Sequence, residues 1–204
     1  MPVSSYYTAI YGQYFMIEDS YTNSDIPVTT TYFLAKLLPE MDAKYGIQFP
    51  VAGPNRGVLN GFKKNSLSFN PSELEQEDLY INRVNYVVQD YDATEISSNL
   101  TSQTRTSALS SINNVRVLLK IIRQIETKAK YYKFEFSDSA TLSNFAQDLK
   151  FIESEWTANR ACRSLSISPY QTAYDIEQKT ARIKVDVVFN GTIERIVIEV
   201  NVGK

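Results

Sequence analysis

Acidic side chains are the groups in this sequence best suited to chemistry, because carboxylates bind cations and transfer protons. Asp90 and Asp92 form one close pair, and a longer acidic run extends from Glu73 to Asp78. A calcium site needs about six oxygen ligands or more, and no further carboxylates cluster beside the pair. The run is typical of a solvated face. We therefore predict no metal site and no catalytic residues among these carboxylates.

Nucleophiles and cofactor-binding motifs are scarce. The chain has one cysteine, Cys162, and no histidine. This excludes an internal disulfide, zinc sites built from Cys and His, and Ser-His or Cys-His catalytic pairs. The glycines between residues 53 and 61 lack the Lys-Ser/Thr ending of a phosphate-binding loop. The sequence predicts no cofactor, and a hydrolase or phosphoryl-transfer enzyme is the less favoured alternative.

Basic residues form one clear pattern. Arg116, Lys120 and Arg123 are spaced by four and three residues, so they share a face of a helix. This face is either solvated or an electrostatic contact for an acidic partner. The net charge of −2 gives no overall field that attracts nucleic acid, so a nucleic-acid binder is disfavoured.

The length and composition indicate a globular chain. It has 204 residues, of which 43% are hydrophobic and 22% charged, enough for one domain with a core. Its apolar runs are too short for membrane insertion, and its first residues do not resemble a secretory signal. We predict a single domain over 1–204, with an exposed link at 63–78 and a C-terminal arm over 181–204.

Two long helices are expected from apolar spacing. Ser107 to Lys128 has apolar residues at steps of three and four, and a second helix begins near Asp138 and Ser139. A shorter helix is predicted from Thr29 to Leu38, where Pro39 should disturb or end it. The second helix has this apolar stripe: Leu142, Phe145, Leu149, Ile152 and Trp156.

Strand-forming residues occupy much of the remaining chain. We predict strands within 6–17 and 165–170, from Ile81 to Val88 and from Tyr132 to Phe136, with a loop over 92–106. Helices and strands in mixed order indicate the α+β class: a mixed β-sheet with two principal packed helices and a C-terminal β-hairpin or arm.

The C-terminal residues give the clearest strand signal. Apolar and polar residues alternate over 182–189, Asn190-Gly191 follows, and a second alternating run ends the chain. This pattern is either a hairpin within the sheet or a last strand that pairs with a neighbouring molecule. Alternation does not separate these two readings. The apolar residues of the second run are Ile196, Ile198, Val200 and Val202.

The order of short motifs resembles the central region of phage contractile tail sheath proteins. The resemblance covers residues 4 to 202. It departs at Gln13-Tyr14, where a proline-tryptophan pair is expected, and members of the family are usually longer, with an N-terminal arm and outward-facing domains. The matching motifs include Ala9-Ile10-Tyr11, Ile26-Pro27, Pro50-Val51-Ala52-Gly53, Gln103-Thr104-Arg105-Thr106, Asn114-Val115-Arg116-Val117-Leu118 and Ile193-Glu194-Arg195-Ile196.

The resemblance implies a structural function. Sheath subunits form stacked rings around an inner tail tube, exchange β-strands with other copies, and contract to drive the tube through the target envelope. The implied partners are other copies, the tube protein, the baseplate and the tail terminator, with no nucleic acid and no membrane insertion. The implied location is the phage virion, with assembly in the host cytoplasm. A baseplate or tail-terminator protein that reuses the fold is the alternative.

Specific residues follow from this resemblance. The donated strand is expected to use the last four apolar residues named above, Ile196 to Val202. The tube contact is expected at Arg116, Lys120 and Arg123. Candidate hinges are Thr180-Ala181 and Asn190-Gly191, which flank the alternating run at 182–189.

Overall fold

The computed structural model describes residues 4–192, and the chain divides into two compact units, Met1–Phe134 and Glu135–Lys204. The prediction of a single domain stays a prediction. Unit 1 contains β1 Ile10–Tyr11, β2 Tyr14–Asp19, β3 Ser24–Thr29, α1 Thr30–Tyr45, α2 Glu73–Ile81, β4 Val84–Asn85, β5 Val87–Gln89, β6 Thr94–Ile96 and α3 Ile112–Ala129. Unit 2 contains α4 Ser139–Ala158, β7 Cys162–Tyr170, α5 Ala173–Glu177 and β8 Arg182–Phe189.

The predicted α+β class is confirmed. In unit 1, β1 pairs with β4 in parallel, whereas β2 with β3 and β5 with β6 pair antiparallel. In unit 2, β7 and β8 form an antiparallel pair. Among residues 4–192 the β-structure is therefore four two-stranded sheets of mixed direction.

Aromatic packing forms the core of unit 1. Phe15 and Phe33 meet edge to face with ring centroids 5.2 Å apart, and Phe62 stacks on Phe15 at 4.3 Å. Such ring pairs add to the stabilisation from area burial. Leu59, Val87, Ile96 and Leu34 complete the buried cluster. This packing fixes α1 against the β2–β3 hairpin.

The predicted end of α1 at Pro39 is wrong. The helix continues through Pro39 to Tyr45, and Gly46 ends it with φ of 94° and an N–H that donates to the Asp42 carbonyl at 3.0 Å. A proline removes one backbone donor, but the helix before it is held by the buried Phe33. Tertiary packing therefore outweighs the local break.

One strand prediction is only partly right, and another is wrong. The predicted strand from Ile81 to Val88 contains β4 and most of β5, but Ile81 itself ends α2. A capping box between Ser72 and Glu75 starts that helix within the predicted link. No strand forms from Tyr132 to Phe136: a 3₁₀ turn at Lys130–Tyr132 extends the end of α3. Aromatic residues favour strands only where a partner strand is present. The predicted loop over 92–106 also contains β6.

Buried amide side chains hold the irregular segments of unit 1 together. The Asn85 amide donates to the carbonyls of Leu100 at 2.7 Å and Ile10 at 3.2 Å, and its oxygen accepts the Leu100 N–H at 2.7 Å. Gln13 donates to the Phe69 and Val87 carbonyls and accepts the Val87 N–H at 2.5 Å. These bonds satisfy backbone groups that no ladder reaches.

Unit 2 packs one helix on one face of its strand pair. The Asp138 carboxylate caps α4 by accepting the Thr141 N–H at 2.7 Å, as predicted. The predicted stripe residues Phe145, Leu149, Ile152 and Trp156 are buried. Leu165 and Ile167 of β7 are buried too, so α4 and β7 share a core. The predicted strand at 182–189 is confirmed as β8, with β7 as its partner.

Candidate functional site

Lys120 and Arg123 lie together on the solvent side of α3, and both are exposed. They are flanked by Leu119 and Ile122, which are 39% and 37% exposed. The apolar residues at steps of three and four that predicted this helix include Val115, Leu119, Ile122 and Ile125. Val115 and Ile125 of that stripe are buried together with Val117 and Ile121, whereas Leu119 and Ile122 are not. The exposed face is therefore mixed basic and apolar, which suits a protein contact.

Arg116 does not share the exposure of the other two basic residues. Its guanidinium donates to the Asp42 carboxylate on α1 in an ion pair that is half-buried on both sides. The second Asp42 oxygen is buried without a hydrogen-bond partner among residues 4–192. Arg116 thus links two helices of unit 1, although its role in a tube contact stays a prediction.

A cavity of about 270 Å³ lies beside Arg116. Burial raises the pKa of Tyr11, on its wall, to about 12, and the nearby Arg116 charge opposes that rise. The phenol is therefore neutral at ordinary pH. The apolar wall consists mainly of Leu34, Leu38, Phe49 and Val51. The polar residues of its lining are Tyr11, Thr31, Asn99, Asn113 and Arg116.

The acidic residues do not converge on a cation site. Asp90 and Asp92 are exposed at the turn between β5 and β6. Burial, followed by the Asp90 charge, raises the pKa of Glu95 nearby. Within residues 4–192, no three His, Cys, Asp or Glu side chains form a group that could hold a metal.

Cys162 is buried at the start of β7, and burial raises the pKa of its thiol. It therefore packs as a small apolar residue. Across the described part of the chain, every helix is too short or too polar to cross a membrane.

The candidate hinge at Thr180-Ala181 lies in a well-bonded connection between α5 and β8. The Thr180 N–H donates to the Asp175 carbonyl at 2.8 Å. The Asp175 carboxylate, 1% exposed, accepts from the Thr172 hydroxyl at 2.7 Å and from Arg182 Nε at 2.8 Å. The Thr172 hydroxyl, and then Arg182, lower the pKa of Asp175. Sequence reasoning missed this residue, although Thr172 and Asp175 have capping-box spacing.

At the candidate hinge Asn190-Gly191, the first residue is hydrogen-bonded to the body of unit 2 and the second has no neighbour beside it. Asn190 donates through Nδ2 to the Arg160 carbonyl at 2.7 Å and through its N–H to the Ala161 carbonyl at 3.1 Å. Gly191 is exposed, and a Cβ at that position would meet nothing within 4 Å. The four predicted strand anchors, Ile196, Ile198, Val200 and Val202, lie outside the described residues.

Comparison with solved structures identifies the fold as that of contractile sheath proteins. The chain superposes on a chain of the anti-feeding prophage baseplate with a TM-score of 0.86 and 15% identity, covering 98% of this chain and 56% of that one. A chain of the same system's contracted helical sheath gives 0.85 at 16% identity, with 98% and 57% covered.

Similar structures extend to other systems. The sheath complex of an extracellular contractile injection system, PVC, gives a TM-score of 0.83 at 13% identity, covering 98% of this chain and 57% of that one. A sheath tail protein from Listeria innocua gives 0.57 at 10% identity, with 93% and 47% covered. The chain thus spans about half the length of these neighbours. No family model and no curated protein matches the sequence itself.

Proposed function

We propose that this chain is a structural subunit of a contractile sheath, in a phage tail or a related injection system, and not an enzyme. The observation that carries the proposal is the likeness of 98% of the chain to chains of the contracted anti-feeding prophage and PVC sheaths. The subunits polymerise in stacked rings around an inner tube, and contraction drives that tube through the target envelope. The implied locations are the assembled tail and, during assembly, the host cytoplasm.

Strand exchange between copies links the subunits in this proposal. Within residues 4–192, β8 has one ladder partner, β7, and its other edge pairs with none of those residues. The inward residues of β8, from Ile183 to Phe189, are only half-buried. An eight-residue edge strand with a half-covered apolar face is suited to accept another strand. The donor is the C-terminal run of a second copy.

The donated strand begins beyond Asn190, which is tied to the body, and Gly191 supplies the hinge. Each net hydrogen bond contributes about 0.5–1.5 kcal/mol. Burial of each Val or Ile anchor contributes roughly 1.5–3 kcal/mol. A strand with anchors at Ile196, Ile198, Val200 and Val202 would therefore stay paired while the bodies of the subunits move. Thr180-Ala181, just before the N-terminal end of β8, is the second candidate hinge.

The exposed face of α3 is the proposed contact with the inner tube. Lys120 and Arg123 supply charge, and Leu119 and Ile122 supply apolar area. Arg116 contributes by holding α3 against α1. Exposed ion pairs contribute only about 0–1 kcal/mol each, so such a contact releases readily during contraction.

Deletion of residues 192–204 from the full-length sheath tests strand exchange. The expected product is a folded subunit that no longer polymerises, because the donor strand is missing and the β7–β8 pair is intact. Polymers of normal length from the deletion variant, seen by electron microscopy, would refute strand donation by this segment. A matched control replaces 192–204 by a Gly/Ser sequence of equal length and should also fail to polymerise.

A baseplate component is the second candidate, because one superposed chain belongs to the anti-feeding prophage baseplate. Gold labelling of an affinity tag on this chain distinguishes the two. A sheath subunit is labelled along the whole tail, whereas a baseplate subunit is labelled at one end. A tail terminator would give the same end-only labelling, at the end opposite the baseplate.

A further inference from the structure

Helix α2 has an outward face that folding does not explain. Leu74 and Ile81 are 77% and 67% exposed and lie seven residues apart, on one face of the helix. Asp78 lies between them in the last turn, where a negative charge interacts unfavourably with the helix dipole. Glu73 and Glu77 are four residues apart and repel each other. The helix therefore carries two exposed apolar residues and, in Asp78, a charge that its own dipole disfavours.

A second surface of unit 1, residues 130–134 after α3, has the complementary character. Lys130 and Lys133 are exposed, and neither is paired with a carboxylate within residues 4–192. Tyr131 is 77% exposed and Phe134 is fully exposed. Phe134 also has φ of 70°, a strained conformation for a non-glycine residue. Strain that exposes an aromatic ring without any stabilising contact points to a partner.

We propose that residues 130–134 of one copy bind the outward face of α2 on a second copy. The two lysines are opposite in charge to Glu73 and Asp78, and the two aromatic rings cover Leu74 and Ile81. Two different surfaces joined in this way make a head-to-tail contact, which repeats into rings or helices. The contact rests on the proposed self-assembly and is separate from strand exchange, since it uses no residue beyond 134.

Zero-length carbodiimide cross-linking of the full chain tests this contact. An equal mixture of ¹⁵N-labelled and unlabelled protein at low salt should give mixed-isotope cross-links from Lys130 or Lys133 to Glu73 or Asp78. Mass spectrometry of the linked peptides identifies them. Absence of these links between copies overturns the proposal. Links from these lysines only to another protein overturn it too and assign the segment to that protein.

Charge reversal supplies the matched variants. Lys130→Glu/Lys133→Glu and Glu73→Lys/Asp78→Lys should each lose the link when alone, and a mixture of the two variants should regain association in sedimentation. Lys36→Glu/Lys150→Glu changes the net charge by the same amount as the first variant and should leave the link intact. Failure of the mixture to regain association contradicts the pairing. The deletion of 192–204 tests strand exchange independently, so the two failures are distinguishable.

Discussion

The guanidinium of Arg116 on α3 donates to the carboxylate of Asp42 on α1, 74 residues earlier in the chain. One of the three basic residues predicted to share a helix face is thereby committed to holding two helices together. Lys120 and Arg123 remain exposed and suited to an outside contact. Basic residues on one face of a helix therefore have two different roles here.

Replacement of Arg116 by Met should destabilise unit 1 by about 1–3 kcal/mol, because Asp42 would be left half-buried without its donor. Asp42→Asn should cost less, since the amide oxygen still accepts from Arg116. Urea unfolding followed by circular dichroism measures both. Arg123→Met is the matched control and should be neutral within about 0.5 kcal/mol. Equal stability of Arg116→Met and wild type would show that the pair contributes nothing.

Reversal of charge at Lys120 and Arg123 should weaken binding to the inner tube at low salt without changing stability. Both side chains are exposed, so their charges act mainly on a partner. The loss should shrink in about 1 M salt, where the Debye length falls to roughly 3 Å. Co-sedimentation with purified tubes measures the affinity. An unchanged affinity at low salt removes this face as the tube contact.

The sequence predicted correctly those elements whose signals lie within the element itself. It failed for elements whose structure depends on residues that pack against them from elsewhere in the chain. Helix α4 was found because Asp138 and its apolar stripe are local signals. The false strand at 132–136 and the premature end at Pro39 arose because local preference ignores the partner that packs against it. The partner of β8 is the preceding strand β7, with Cys162 opposite Phe189 and Tyr170 opposite Arg182. The Asn190-Gly191 signal instead favours pairing with the run that follows it.

The hydrogen bonds of the buried amide side chains could not be predicted from the sequence either. Asn85 bonds Leu100, and Gln13 bonds Val87, across 15 and 74 residues. Nothing near either residue in sequence indicates these contacts. In the comparison with the sheath family, Gln13 stands only as a departure from an expected proline. In the structure, its side chain accepts the Val87 N–H of β5 and donates to the Phe69 carbonyl.

Asn85→Ala should destabilise unit 1 by about 2–4 kcal/mol, because it leaves two or more buried backbone groups unpaired at about 1–3 kcal/mol each. Hydrogen exchange should show faster exchange at the Leu100 amide in particular. Asn60→Ala, at an exposed asparagine of the same unit, is the control and should have no effect. Equal unfolding midpoints for the two variants would contradict this role.

Asp175 should make unit 2 sensitive to acid. Its pKa is lowered in the folded state, first by the Thr172 hydroxyl and then by Arg182. Its ionised form therefore stabilises the fold above the unfolded pKa of about 3.9, and that stabilisation is lost as the pH falls through the lower folded value. The stability gap between wild type and Asp175→Asn should be constant above about pH 5 and shrink below about pH 4.

Fluorescence of Trp156 measures this gap, because it is the one tryptophan of the sequence and is buried in unit 2. Urea titrations at several pH values give the unfolding free energies. A gap that does not vary with pH would mean that the Asp175 charge is irrelevant to stability.

A cryo-EM map of the assembled particle, at a resolution that traces side chains, tests the central claim most directly. Strand exchange predicts that residues 193–204 of each subunit form a β-ladder with a neighbouring copy and bury Ile196, Ile198, Val200 and Val202 there. A map in which those residues return to their own subunit and contact no other copy would contradict it.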